Sequence, residues 1–185
     1  LVTRDHVNIL AGAVWSPNAS AIAAVATEAK TPFVDMNAAS APLTRLSPYI
    51  VRDSFTLWQV AGPTGESAAK QGWKKGYTAV TDYPPGYDAE GGFTTSFEKG
   101  GGKVVDKIRM VFPTEDFTPF IQRIKDSKPD VAFIFVPAGK KATAVMKAWN
   151  DLGLKQAGVT LVTTQDVMLD EELPNMTQVG TGIVS

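Results

Sequence analysis

A doubly wound α/β fold with parallel sheets is what this 185-residue sequence predicts, and three observations carry it. Short apolar runs alternate with helix-length segments along nearly the whole chain, the order that sets parallel strands beside crossover helices. Helix starts repeat one chemistry, a hydroxyl residue followed by proline, at Ser16-Pro17 and Thr118-Pro119; Ser and Thr favour the N-cap, and proline the first helical position. Val131-Ala-Phe-Ile-Phe-Val136 is apolar throughout, as suits a central parallel strand covered on both faces.

Taken in order, Leu1 to Val7 reads as the tail of a helix, because no cap precedes it. A strand over residues 8–11 follows. Ser16-Pro17 then opens an Ala-rich helix to about Ala29, with Ile22, Ala23, Val25 and Ala26 as its packing face. Thr31-Pro32 stops it, and residues 33–36 form a second strand, parallel to the first because a helix lies between them. The small-residue loop Asn37 to Leu46 leads to a third strand over residues 49–53. A helix from Thr56 to about Gly72 carries Gly62-Pro63 and Gly65 inside it, which predicts a kink or a late start.

From Tyr77 the alternation is regular. A strand over residues 77–81 leads through Asp82-Tyr-Pro-Pro-Gly-Tyr87 to a helix over residues 88–98, ended by Gly100-Gly-Gly102; a strand over 103–110 follows. Phe117, Phe120, Ile121 and Ile124 recur at the spacing of one helix face. After the apolar strand 131–136, Ala142, Val145, Met146, Trp149 and Leu152 stripe another helix, which Gly153 ends. A strand over 159–163, a short helix over 169–173 and a last strand over 182–184 complete the reading. Three strands precede the Trp58 helix and five follow it, so the chain divides into residues 1–55, an incomplete first lobe, and 56–185, a fuller second one.

Composition narrows the function. With 44% hydrophobic and 20% charged residues the chain can bury a core. A net charge of −1, with no basic cluster beyond the Lys74-Lys75 and Lys140-Lys141 pairs, leaves no nucleic-acid footprint and no membrane-surface patch. The absence of cysteine excludes disulfides, thiolate metal sites and Cys nucleophiles. Leu1-Val-Thr-Arg-Asp-His6 is no signal peptide, so the chain is either cytosolic or begins after its targeting segment.

The chemical motifs are sparse. No G-x-G-x-x-G turn supports a dinucleotide, and Gly100-Gly-Gly-Lys103 lies at a helix end, the wrong side of the unit to cradle phosphate. The single histidine, His6, reads as a surface residue, so neither a metal site nor a Ser-His-Asp triad is expected. Nothing in the spacing of the carboxylates singles out an acid/base pair. Asn18-Ala-Ser20 and Asn175-Met-Thr177 match the glycosylation tripeptide by chance. What remains is a set of loops at strand carboxyl ends: Trp15-Ser16, Asn37 to Ser40, Tyr83 to Tyr87, Pro137-Ala138 and Thr164 to Asp166. Their aromatic, hydroxyl and acidic groups suit binding of a small polar molecule without chemistry or cofactor. Ser16 either caps its own helix or, with that helix start, receives an anion such as a ligand carboxylate.

The collinear set Ala11-Gly-Ala-Val-Trp-Ser16, Thr31-Pro-Phe-Val, Asn37-Ala-Ala-Ser-Ala-Pro-Leu-Thr44, Tyr49-Ile-Val-Arg52, Tyr87-Asp-Ala-Glu, Gly101-Gly-Lys-Val-Val105, Asp116-Phe-Thr, Pro129-Asp-Val-Ala-Phe-Ile and Leu152-Gly-Leu-Lys155 resembles the type I periplasmic solute-binding proteins of ABC importers. Within them it is most similar to receptors for branched-chain amino acids and related carboxylates. The resemblance implies two Rossmann-like lobes closing on a ligand, a periplasmic location, a membrane permease as partner and no catalysis. It also implies that this chain is a fragment from the middle of a longer protein, with weak ligand binding of its own and self-association through the open first-lobe sheet.

Residue by residue, the resemblance makes Ser16 the holder of the ligand carboxylate, completed by the Asn37 loop through the Ala38 backbone and Ser40, which replaces a more usual Thr. Tyr87 matches the second-lobe Tyr of a Tyr-Gly element, with Asp88 in place of the Gly, and Asp166 falls near the acidic position that receives a ligand ammonium. Trp15 stands where smaller residues are common and a family aromatic is missing near Ala138. Trp15 either floors a pocket for a flat ligand or packs under the Ser16 loop. A benzoate-like acid is therefore the alternative to an amino acid, and without an amine Asp166 needs another role. A ligand-sensing regulatory domain of the same architecture is a further reading.

Overall fold

The computed structural model describes residues 1–168 and 170–176. They divide into two compact units, Leu1–Gln59 and Val60–Ser185. The boundary lies within a helix. Among the described residues no helix is long and apolar enough to cross a membrane.

The first unit holds α1 (Val2–Asp5), β1 (Leu10–Gly12), α2 (Ser16–Ala29), β2 (Phe33–Asp35), a 3-10 turn (Ala41–Arg45) and β3 (Ile50–Arg52). Its strands pair in parallel in the order β1-β2-β3, with Leu10 opposite Phe33 and Asp35 opposite Arg52. β1 thus starts later than the apolar pattern suggests and ends on Gly12. The expected face of α2 holds at Ala23 and Ala26, which are buried, and at Ile22, which packs partly buried against the core; Ala19 joins it, whereas Val25 is exposed. Three alanines at i, i+4 and i+7 let the helix lie close against Phe33, Leu43 and Ile50. Lys30, in a left-handed conformation, closes it, and Thr31 N–H returns to the Ala26 carbonyl at 3.0 Å.

The helix α3 (Leu57–Lys70) carries the unit boundary. Of the kink or late start expected, the late start does not occur: the helix begins at Leu57 and runs through Gly62, Pro63 and Gly65. Pro63 has no N–H to offer the Gln59 carbonyl. Gly65 answers to packing: a Cβ there would lie 2.3 Å from the Phe93 carbonyl oxygen, so only glycine lets α3 approach the next helix this closely.

The second unit continues with β4 (Lys75–Thr81), α4 (Pro84–Lys99), β5 (Lys103–Met110), α5 (Thr118–Ser127), β6 (Val131–Phe135), α6 (Lys140–Asp151), β7 (Thr160–Thr163), a 3-10 turn (Gln165–Val167) and α7 (Leu173–Met176). All four strands are parallel, in the order β5-β4-β6-β7. β6 is buried along its whole length, as a central apolar strand requires. Phe133 stacks on Phe93 at 4.6 Å between centroids, and Tyr77, Ile121, Ile134, Met146 and Leu154 fill the core. The short helix expected over 169–173 is instead two pieces, the 3-10 turn and α7. Leu169 and the last strand expected over 182–184 lie outside the described residues.

α4 begins at Pro84, a turn earlier than expected. The two prolines occupy its first positions, and Tyr83 precedes it in extended conformation.

Candidate functional site

The first unit brings the loops after β1 and β2 together. Ser16 is the first residue of α2 rather than its cap; the cap position is Trp15, and no side chain caps the helix. The buried Ser16 hydroxyl instead accepts the backbone N–H of Ser40 at 3.1 Å. A hydroxyl that accepts one hydrogen bond still has its own proton to donate. Pro17 contributes no N–H, but the helix N-terminus that Ser16 opens retains its positive partial charge.

The Asn37–Ser40 loop is held by two charged side chains. Asp35, fully buried, accepts the Ala38 N–H at 2.8 Å and pairs with Arg52 Nε at 3.3 Å. Arg52 Nη2 donates to the carbonyls of Ala38 at 3.1 Å and Ser40 at 2.5 Å. Ala38 and Ser40 are buried, and both have committed their N–H groups within the unit. The Ala38 carbonyl is engaged within the unit as well, by Arg52 Nη2. Asn37 is exposed and anchored by its N–H to Ala13 O at 3.1 Å. Trp15 is 41% exposed, next to Ser16 in the chain.

In the second unit the loops after β4 and β7 carry the candidates. Tyr87, in the first turn of α4, is exposed, and its hydroxyl donates to Asp82 Oδ1 at 2.8 Å. That hydrogen bond, with burial and the Asp82 charge behind it, raises the phenol above its ordinary value. The Arg109 guanidinium lies 4.2 Å from the Tyr87 ring centroid while donating to Glu90. Tyr87 therefore belongs to a surface chain of charges. Asp166, in the 3-10 turn after β7, accepts from Thr164 Oγ1 at 2.9 Å through Oδ2.

One residue that the sequence reading places in a rim loop but not among the ligand contacts is Tyr83. Tyr83 stacks on Phe135, the last residue of β6, at 6.2 Å and 11°, and meets Phe112 edge-on at 5.9 Å. Burial first, and then the charge of Asp166, raises its phenol far above the ordinary tyrosine value, so it stays protonated. The Pro84-Pro85 pair is the signal that could have found it, since prolines in the first turn mark the preceding residue as the helix cap.

Two parallel sheets with their polar groups on loops at strand carboxyl ends define an α/β ligand-binding protein, and the fold is that of the type I periplasmic binding proteins. The chain belongs to the periplasmic binding protein family, whose sequence model matches residues 1–180. It is a family of substrate-binding transport proteins, not an enzyme class.

Among relatives, the chain is 40% identical over all 185 residues to the Leu/Ile/Val-binding protein homolog 6 of Brucella melitensis, covering 47% of that protein. A solute-binding protein of an ABC transporter from Rhodopseudomonas palustris HaA2, solved with p-hydroxybenzoic acid, is 47% identical with a TM-score of 0.95. The match covers 99% of this chain and 50% of that one. A counterpart from R. palustris BisB5, solved with 3,4-dihydroxybenzoic acid, is 43% identical with a TM-score of 0.92, over the same shares. The chain thus spans about half the length of the proteins it matches.

Proposed function

We propose that this chain is part of the solute-binding component of an ABC importer, which captures a small carboxylate in the periplasm, presents it to a membrane permease and does no chemistry on it. Residues 1–55 and 56–185 are read as parts of its two lobes. The observation that carries the reading is the Ser16–Ser40 hydrogen bond. It fixes a buried hydroxyl at a helix N-terminus with its proton still available, which is what a carboxylate needs. No imidazole or carboxylate among the described residues is bonded to Ser16, so the hydroxyl is a donor and not an activated nucleophile.

In this proposal the ligand-contact residues are Trp15, Ser16, Asn37, Ala38 and Ser40 in the first unit, and Tyr87 and Asp166 in the second. An aromatic carboxylate ranks ahead of an aliphatic amino acid. The support is the likeness to proteins solved with hydroxylated benzoates, together with the part-exposed Trp15 beside Ser16. Calorimetric titration of the complete polypeptide carrying this chain, with benzoate-type acids and leucine-type amino acids, tests it. Ser16→Ala should weaken binding of the preferred acid by about tenfold or more, the worth of a charge-assisted hydrogen bond. Binding of neither class, or unchanged affinity in Ser16→Ala, would sink the assignment.

A further inference from the structure

The Ala39–Ser40 peptide is gripped from both edges. Its N–H donates to the Ser16 hydroxyl at 3.1 Å, and its carbonyl accepts the backbone N–H of Leu57 at 3.0 Å. A trans peptide is planar, with N–H and C=O on opposite edges. The two bonds therefore fix the tilt of one rigid plane, and a displacement of the Leu57 N–H is passed on to the Ser16 oxygen. Ser16, Ala39, Ser40 and Leu57 are all buried, which shields the series from solvent.

Leu57 is the first residue of α3, where backbone N–H groups lack partners within the helix. A capping box holds that turn: Thr56 N–H donates to Gln59 Oε1 at 2.8 Å, and Gln59 N–H donates to Thr56 Oγ1 at 3.2 Å. The Leu57 N–H between them is thus aimed at the Ala39 carbonyl instead of fraying. Among the described residues neither the Thr56 nor the Gln59 side chain is bonded to the Asn37–Ser40 loop, so both reach Ser16 only through Leu57 and the peptide. Hydrogen bonds in series also polarise one another. An amide whose carbonyl accepts a bond donates more strongly through its N–H, and a hydroxyl that accepts a bond gives its own proton more readily. The series Leu57 N–H, Ala39 carbonyl, Ser40 N–H and Ser16 hydroxyl ends on the proton meant for the ligand carboxylate.

We propose that the Leu57 N–H, held by Thr56 and Gln59, is the positioning group for Ser16, setting the orientation and donor strength of its hydroxyl through the Ala39–Ser40 peptide. This rests on the reading of Ser16 as the carboxylate donor. Every residue involved belongs to the first unit.

The test is calorimetry on the complete polypeptide, with benzoate, 4-hydroxybenzoate and leucine as probes. Thr56→Val keeps a branched side chain and removes the acceptor for the Gln59 N–H. It should weaken the best-bound probe by about three- to tenfold, up to the worth of a helix cap. Thr56→Ser should restore affinity to within about twofold. Added to Ser16→Ala, Thr56→Val should cost less than about a further twofold, because the group it positions is gone. Asp130→Ala removes the acceptor for the Lys74 and Lys75 N–H groups in the second unit and should leave affinity unchanged. A merely structural cap would lower the melting temperature and leave affinity alone.

Amide hydrogen exchange supplies a readout that needs no ligand. In Thr56→Val the Leu57 and Ser40 N–H groups should both exchange about three- to tenfold faster. Gln59→Met carries both measurements if Thr56→Val does not fold. Unchanged affinity in the folded variant, equal losses with and without Ser16, or Ser40 exchange that stays slow while Leu57 exchange speeds up would each overturn the positioning role. Binding of none of the probes, or affinity indifferent to Ser16→Ala, overturns the carboxylate reading and the positioning role with it; Ser40 exchange that still follows Thr56 tells that failure from the others.

Discussion

Arg52 on β3 sits in register opposite Asp35 on β2, and the two form a buried ion pair at 3.3 Å whose remaining valences hold the Asn37–Ser40 loop. Asp35 takes the Ala38 N–H, and Arg52 takes the carbonyls of Ala38 and Ser40. The parallel register, rather than any local turn signal, therefore fixes the loop that presents Ser40 to Ser16.

Arg52→Met should destabilise the first unit by about 3–5 kcal/mol, because it strands the Asp35 charge in a site with no water to solvate it. The double variant Asp35→Asn/Arg52→Met should cost less than Arg52→Met alone, since no charge is then left unpaired. Urea unfolding of the three proteins measures this. A double variant at least as unstable as the single one would show that the carbonyl bonds, not the ion pair, hold the loop.

This dependence also explains what is legible in the sequence and what is not. Parallel strands and crossover helices announce themselves through local apolar runs, so the element order is readable. The Ser16 hydroxyl is a different matter: its partner Ser40 lies 24 residues away, and a Ser-Pro pair looks the same whether the Ser caps its helix or serves another loop. On the face of α2 only Val25 is misplaced and Ala19 missed, because hydrophobicity ranks valine above alanine, whereas a helix packed close on a sheet selects small side chains. Within the Tyr83 to Tyr87 loop the contact role goes to Tyr87 because Tyr87 carries the family pattern, although Tyr87 is engaged with Asp82 and Arg109 on the surface.

Two glycines of α3 should respond in opposite directions to the same substitution. At Gly65 a Cβ would lie 2.3 Å from the Phe93 carbonyl oxygen and 3.1 Å from its Cα, contacts that only a shift of α4 could relieve. Gly65→Ala should therefore cost about 1–3 kcal/mol, the usual penalty of overpacking. At Gly62 the nearest atom, Ser96 Oγ, is 3.5 Å away, an ordinary contact. Gly62→Ala should be neutral or stabilising by up to about 1 kcal/mol through helix propensity. Thermal melts of the two variants decide it, and a matching sign in both would contradict the close approach of α3 and α4.

Asp130 should make the second unit sensitive to acid. It precedes the central strand β6 and accepts the backbone N–H groups of Lys74 and Lys75, both at 2.8 Å, at the start of β4. Those two bonds, ahead of the opposing cost of burial, hold its carboxyl below the ordinary value of 3.8. A carboxylate with a lowered native pKa contributes stability that is present above its unfolded pKa and lost as pH falls through the native one. Asp130→Ala should thus lower stability near pH 7 by about 1 kcal/mol, a modest figure because the site is partly solvated. The gap between wild type and variant should close below about pH 4, where the wild-type carboxyl takes up its proton. Denaturant unfolding of both proteins at several pH values measures that gap. A gap that stays constant into acid would mean that the Asp130 side chain acts through packing and uncharged hydrogen bonds to the Lys74 and Lys75 N–H groups, and not through its charge.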